Sequence, residues 1–195
     1  MRLILSSALI ALALGSAARA DQAAAVAAFA GGFASYCSAA FLEDGSLVDP
    51  PTRHDMISPV TWGGDPVPVT LWEFRCNIGA YNVQTVFLKD SETEGVVPLS
   101  FARPDLDIVL EDPENYEGPV KEVRIAGYSA NPYVVNASVD VSAGMISEYS
   151  AWRGIGDASS AAVWTLVDEG FRLTRFDVDP TYDGEVTPKT LVSFP

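Results

Sequence analysis

Two cysteines, one histidine and a surplus of carboxylates are the groups in this chain that could do chemistry. Cys76 closes the apolar alternation of "LWEFRCNIGAYN" (residues 71–82), and Cys37 lies in "FASYCSAAF". A cysteine nucleophile needs a base to make its thiolate, usually histidine. The one histidine, His54, falls in "PPTRHDM", which reads as a proline-flanked polar loop. A zinc site needs three or four Cys, His or carboxylate ligands at set spacings, and neither CxxC nor HExxH occurs. An even pair of cysteines in an exported chain reads instead as a disulfide. A Cys37–Cys76 bridge would staple the strand ending at Cys76 to the N-terminal segment. In the chain-entropy description, closing a loop of about 40 residues contributes roughly 3–4 kcal/mol.

The densest carboxylate group is "FDVDPTYDGE", with Asp177, Asp179, Asp183 and Glu185. Calcium takes six to eight oxygens, and this run supplies several. Its spacing departs from the D-x-[DN]-x-[DN]-G loop, and Pro180 stiffens it, so a solvated turn is the expectation. "EDGSLVD" and "EDPENYEG" are weaker versions of the same pattern. Trp152, Arg153 and Asp157 form a second candidate, an interaction patch in "WRGIGD", since exposed Trp and Arg serve as interface anchors. The simpler expectation is that Trp152 is core, that Arg153 pairs locally and that Asp157 accepts from loop amides. Carboxylate pairs hydrolyse glycosidic bonds, but abundance does not show which two face each other. Serine hydrolysis lacks both a G-x-S-x-G elbow and a placed base. No residue is assigned as catalytic and no cofactor is implied.

The first twenty residues, "MRLILSSALIALALGSAARA", read as a secretory signal. Arg2 supplies the positive start, an apolar run extends to Leu14, and Ala18-Arg19-Ala20 presents small residues for cleavage. The run falls short of the roughly 20 residues needed to span a bilayer, and no cysteine stands near the cut for a lipid anchor. The expectation is a periplasmic or secreted protein, one β-rich domain over residues 21–195, with no membrane anchor after cleavage. The formal net charge is −14, more acidic still without Arg2 and Arg19. Such a surface repels nucleic acid and anionic lipid and attracts cationic proteins and divalent metals, while the simpler reading of the charge is solubility, which keeps exported proteins apart.

The elements that must position these groups are mostly strands. Residues 23–41 are alanine-rich and helical in propensity, and Gly31-Gly32 is expected to divide them into one or two short helices. From Glu43 to Pro68, proline, glycine and aspartate predict loops, with a short strand near Val60–Trp62. Thr70, Trp72, Phe74 and Cys76 share one face of a strand that returns through "NIGA" into "YNVQTVFLKD". "PYVVNASVDV" alternates as a single strand, with Tyr133, Val135, Ala137, Val139 and Val141 inward. "AGMISEYSAW" returns from a Ser-Ala-Gly turn. "AAVWTLVDEGFRLTRFDV" is a hairpin about Asp168-Glu169-Gly170, and "LVSFP" adds a last strand. Short strands joined by turns predict a mainly β fold, an antiparallel sandwich or small barrel.

Three ordered segments carry a family pattern. They are W-x-x-x-C-x-x-G-A-Y-N at Trp72–Asn82, R-G-x-G-D at Arg153–Asp157 and W-x-x-x-D-x-G-F-x-L at Trp164–Leu173. Together they resemble a bacterial family of exported domains, domain-of-unknown-function family 1176. The resemblance spans roughly Leu71 to Asp183 and implies an envelope location, a mostly β fold and no assigned activity. It also implies a second cysteine pair, one partner directly after the G-D and the other after the final hairpin. Ala158 and Asp183 stand at those places. Three functions from different classes remain open. The first is a binding module whose acidic surface meets a cationic envelope protein, such as a cell-wall-lytic enzyme. The second is a carboxylate-dependent enzyme acting on glycans, and the third is a calcium-stabilised structural domain.

Overall fold

The structure, a computed structural model, describes the backbone of residues 14–195 and the side chains of residues 22–195. Most of the expected export signal, residues 1–20, lies outside the described residues. Alanine propensity carries helix α1 from Leu14 to Phe33. Gly31 and Gly32 do not divide it; they fall in its last turn, where intrahelical bonding is ending anyway. Cys37 then precedes a single 3-10 turn, Ser38–Ala40.

Two antiparallel sheets follow. The first orders β1 (Thr52–Ser58), β2 (Val67–Ile78), β3 (Val83–Ser91) and β4 (Gly95–Pro98), and a short β7 (Val134–Val135) pairs with the far end of β3. The second runs β12 (Lys189–Ser193), β11 (Gly170–Asp179), β10 (Ser159–Val167), β9 (Met145–Ala151), β8 (Ser138–Asp140). Between them in sequence, β5 (Phe101–Leu110) and β6 (Val120–Asn131) form a separate two-stranded ribbon. The architecture is an open sandwich, not a closed barrel.

Leu71, Phe87, Phe101, Ile146, Trp164, Leu166 and Phe176 fill the space between the sheets. Phe101 sets its ring edge-on to Trp164, with centroids 5.1 Å apart. The first sheet is buried on its other face too. There Trp72, Phe74, Cys76, Val86 and Leu88 pack under Ala25 and Phe29 of α1. The Phe29 ring stacks on Phe74 at 4.3 Å, and the Cys37–Cys76 disulfide closes the same layer. Successive strand residues point to opposite faces, so β2 sends Val69 and Leu71 into one core and Trp72, Phe74 and Cys76 into the other. Thr70, grouped with the second set by period, is only half-buried.

Four local expectations are corrected. His54 lies not in a loop but on strand β1, paired in register with Leu71; cross-strand hydrogen bonding outweighs the Pro50-Pro51 punctuation. Val60–Trp62 is a turn. "PYVVNASVDV" is two short strands, because Asn136 adopts a left-handed φ of 44° between them; Val134 is buried and Val141 is exposed. The β5–β6 ribbon was not anticipated, because Pro104 and the alternating Asp105 and Asp107 argue against a strand that nonetheless forms. The Asp168–Glu169 hairpin forms as expected. Both central residues have positive φ, 51° and 57°, the geometry that matches the twist of flanking strands.

Candidate functional site

The R-G-x-G-D loop sits at one end of the sandwich. Arg153 Nε donates to Asp157 Oδ1 at 2.7 Å, a second guanidinium nitrogen bonds Oδ2, and the same nitrogen reaches the Tyr182 carbonyl at 2.9 Å. Its guanidinium also lies over the Tyr182 ring, 5.1 Å from the centroid. Asp157 is buried and accepts from the Gly184 amide at 2.9 Å. The Arg153 hydrogen bond, joined by the Ala158 and Gly184 amides, holds the Asp157 carboxyl far below the usual carboxylate range. Gly156 turns the loop at φ +74°, with the Tyr149 hydroxyl donating to its carbonyl at 3.0 Å. Trp152 is half-buried against the inter-sheet core, and its Nε1 donates to Ser160 at 3.4 Å. Trp152, Arg153 and Asp157 thus spend most of their bonding capacity internally. Asp157 ties the 153–158 loop to the 182–185 loop.

The acidic run after β11 is divided among separate tasks. Asp177 faces Arg175 and Thr190. Asp179 is buried and accepts from the Thr181 amide at 3.1 Å and the Thr187 amide at 2.5 Å. Burial raises its pKa, but these hydrogen bonds outweigh burial and lower it overall. Asp183 caps the Glu185 amide at 2.9 Å, and both residues are exposed. Among the described residues no three of His, Cys, Asp and Glu gather as a metal site. His54 Nε2 contacts Glu73 Oε2 at 2.8 Å, and the two cysteines are bonded to each other.

Two features of this end were not read from the sequence. Asn82, of the N-I-G-A-Y-N turn, donates to the Ala151 carbonyl at 2.8 Å and accepts from the Ala151 amide at 3.2 Å. Asn136 joins it, donating to Asn82 Oδ1 at 3.0 Å and accepting from the Val83 amide at 2.9 Å. The N-I-G-A-Y-N turn and the end of β9 that leads into R-G-x-G-D therefore meet here, while Asp168, at the turn of the last hairpin, accepts from the Thr61 amide at 2.7 Å. Below them Glu148, buried on β9, pairs with Arg103 of β5 and accepts from the Val135 amide at 2.8 Å. Burial pushes the Glu148 carboxyl up, with Arg103 opposing. One signal did exist: in "MISEYSA" Glu148 has the same parity as inward-facing Ile146.

The tip of the β5–β6 ribbon leans on this region, with Glu117 3.9 Å from Arg153. Glu111, Asp112, Glu114 and Glu117 are all exposed at that tip. Tyr116 beside them is 73% exposed, as is Ile155, at 72%, in the loop that Glu117 approaches. No helix among the described residues is long and apolar enough to cross a membrane. Comparison of the chain with protein-family models, curated proteins and solved structures finds no match.

Proposed function

We propose that the protein is an exported, non-enzymatic interaction module that meets a cationic envelope protein through the acidic tip of the β5–β6 ribbon. The observation that carries this reading is the tip itself, with four exposed carboxylates around an exposed Tyr116. Aromatic residues anchor interfaces, and charge of one sign steers a partner of the other. The buried Asp157 and Asp179 hold the neighbouring loops in place, so the surface is offered with little ordering cost. A periplasmic or secreted location fits the leader and the disulfide together. A partner of the cell-wall-lytic class, basic and acting in the same compartment, suits the charge.

The test is capture from an envelope extract at low salt on the immobilised protein, beside a variant with Glu111, Asp112, Glu114 and Glu117 all changed to lysine. A basic protein held by the wild type, released as salt rises and lost by the variant, supports the reading. Equal retention by both, or none by the wild type, overturns it.

A further inference from the structure

Between the N-I-G-A-Y-N turn and β5, β7 and β9 lies a cavity of about 430 Å³, lined by Asn77, Gly79, Gln84, Arg103, Tyr133 and Ser150 among others. Its size lies within the range of small-molecule sites. Arg103 is the one charged residue lining it among the described residues, and buried Glu148 behind it cancels that charge. An anion is opposed by Glu148 and by the −14 net charge, and a cation by Arg103. The Tyr133 ring already stacks on Tyr36, centroids 5.8 Å apart, and carries the Arg103 guanidinium 5.7 Å from its centroid. Recognition therefore falls to hydrogen bonds.

The wall is rich in groups that both give and take them. Asn77 donates to Gln84 Oε1 at 3.1 Å, an arrangement that holds both amides in fixed orientation. Behind this wall the buried Glu148 pairs with Arg103 and holds it in place. A hydroxyl group supplies both an acceptor and a donor. We propose that this cavity binds a neutral saccharide, whose hydroxyls meet the Asn77 and Gln84 amides, Ser150 and the exposed part of the Arg103 side chain. The site is independent of the acidic ribbon tip.

The test is a titration of the full mature protein, labelled with nitrogen-15, followed by amide shifts. The probes are maltose, lactose, N-acetylglucosamine and diacetylchitobiose, with acetate and malonate at matched ionic strength as anionic arms. At least one sugar is expected to give saturable shifts confined to residues 77–84, 103 and 133–150. Gln84→Ala and Ser150→Ala, each checked for an unchanged fold by its amide spectrum, are expected to weaken that affinity by about tenfold and a few fold respectively. No saturable shift with any sugar overturns the proposal. So does a response to the carboxylates alone, or an affinity unchanged in whichever variants fold.

Discussion

Asp157 and Glu148 are both buried carboxylates facing an arginine, yet their titrations move in opposite directions. Asp157 collects hydrogen bonds from Arg153, Ala158 and Gly184; Glu148 has one oxygen with no donor at all. A carboxyl whose folded pKa is depressed stabilises the fold above its unfolded value, about 3.9 for aspartate, and loses that contribution as pH falls. Wild type is thus expected to melt several degrees above Asp157→Asn near neutral pH, the gap narrowing below about pH 4. A raised carboxyl works the other way. Relative to Glu148→Gln, wild type is expected to lose ground as pH rises above about 4.3, the unfolded glutamate value. Thermal melts of the three proteins across pH check both slopes, and parallel curves would contradict both. Asp157's part, accepting from loop amides beside a locally paired Arg153, was legible in the R-G-x-G-D run; that of Glu148 was not. The partners of Glu148 come from β5 and from β7, which are distant in sequence, and only the inward parity of "MISEYSA" marked it.

At the scale of elements, local chemistry was legible wherever one signal dominated. The alternation of Trp72, Phe74 and Cys76 announced a strand, and Asp168-Glu169-Gly170 announced its hairpin. It failed where tertiary pairing overrode punctuation, at β1 after Pro50-Pro51 and at β5 across Pro104. It also could not show that β2 buries both faces, because one strand's period says nothing about what is laid upon it. Two element-level outcomes follow. Replacing Cys37 and Cys76 with serine is expected to lower the melting temperature by roughly ten degrees, matched by adding reductant to the wild type. A Gly156→Ala side chain would sit at positive φ with its Cβ 2.8 Å from the Tyr149 hydroxyl. That change is expected to cost roughly 1–3 kcal/mol by denaturant titration, with the amide shifts confined to the 149–157 loop and its Tyr182–Gly184 neighbour.

For the molecule as a whole, the charge of −14 sets a self-repulsion that salt screens. The melting temperature is expected to rise between low and physiological ionic strength, and a flat or falling series would show that local ion pairs such as Arg153–Asp157 outweigh the net field. The layered core has a different consequence, in time rather than space. Helix α1 is made first, but its seat on Trp72, Phe74, Val86 and Leu88 is made only after β2 and β3, and Cys37 waits 39 residues for its partner. The earliest segment therefore cannot dock until β2 and β3 have been made, and it then closes the back of their sheet. A processing step that trimmed the chain past Phe29 would leave that back open, an apolar face ready to accept the helix of another copy.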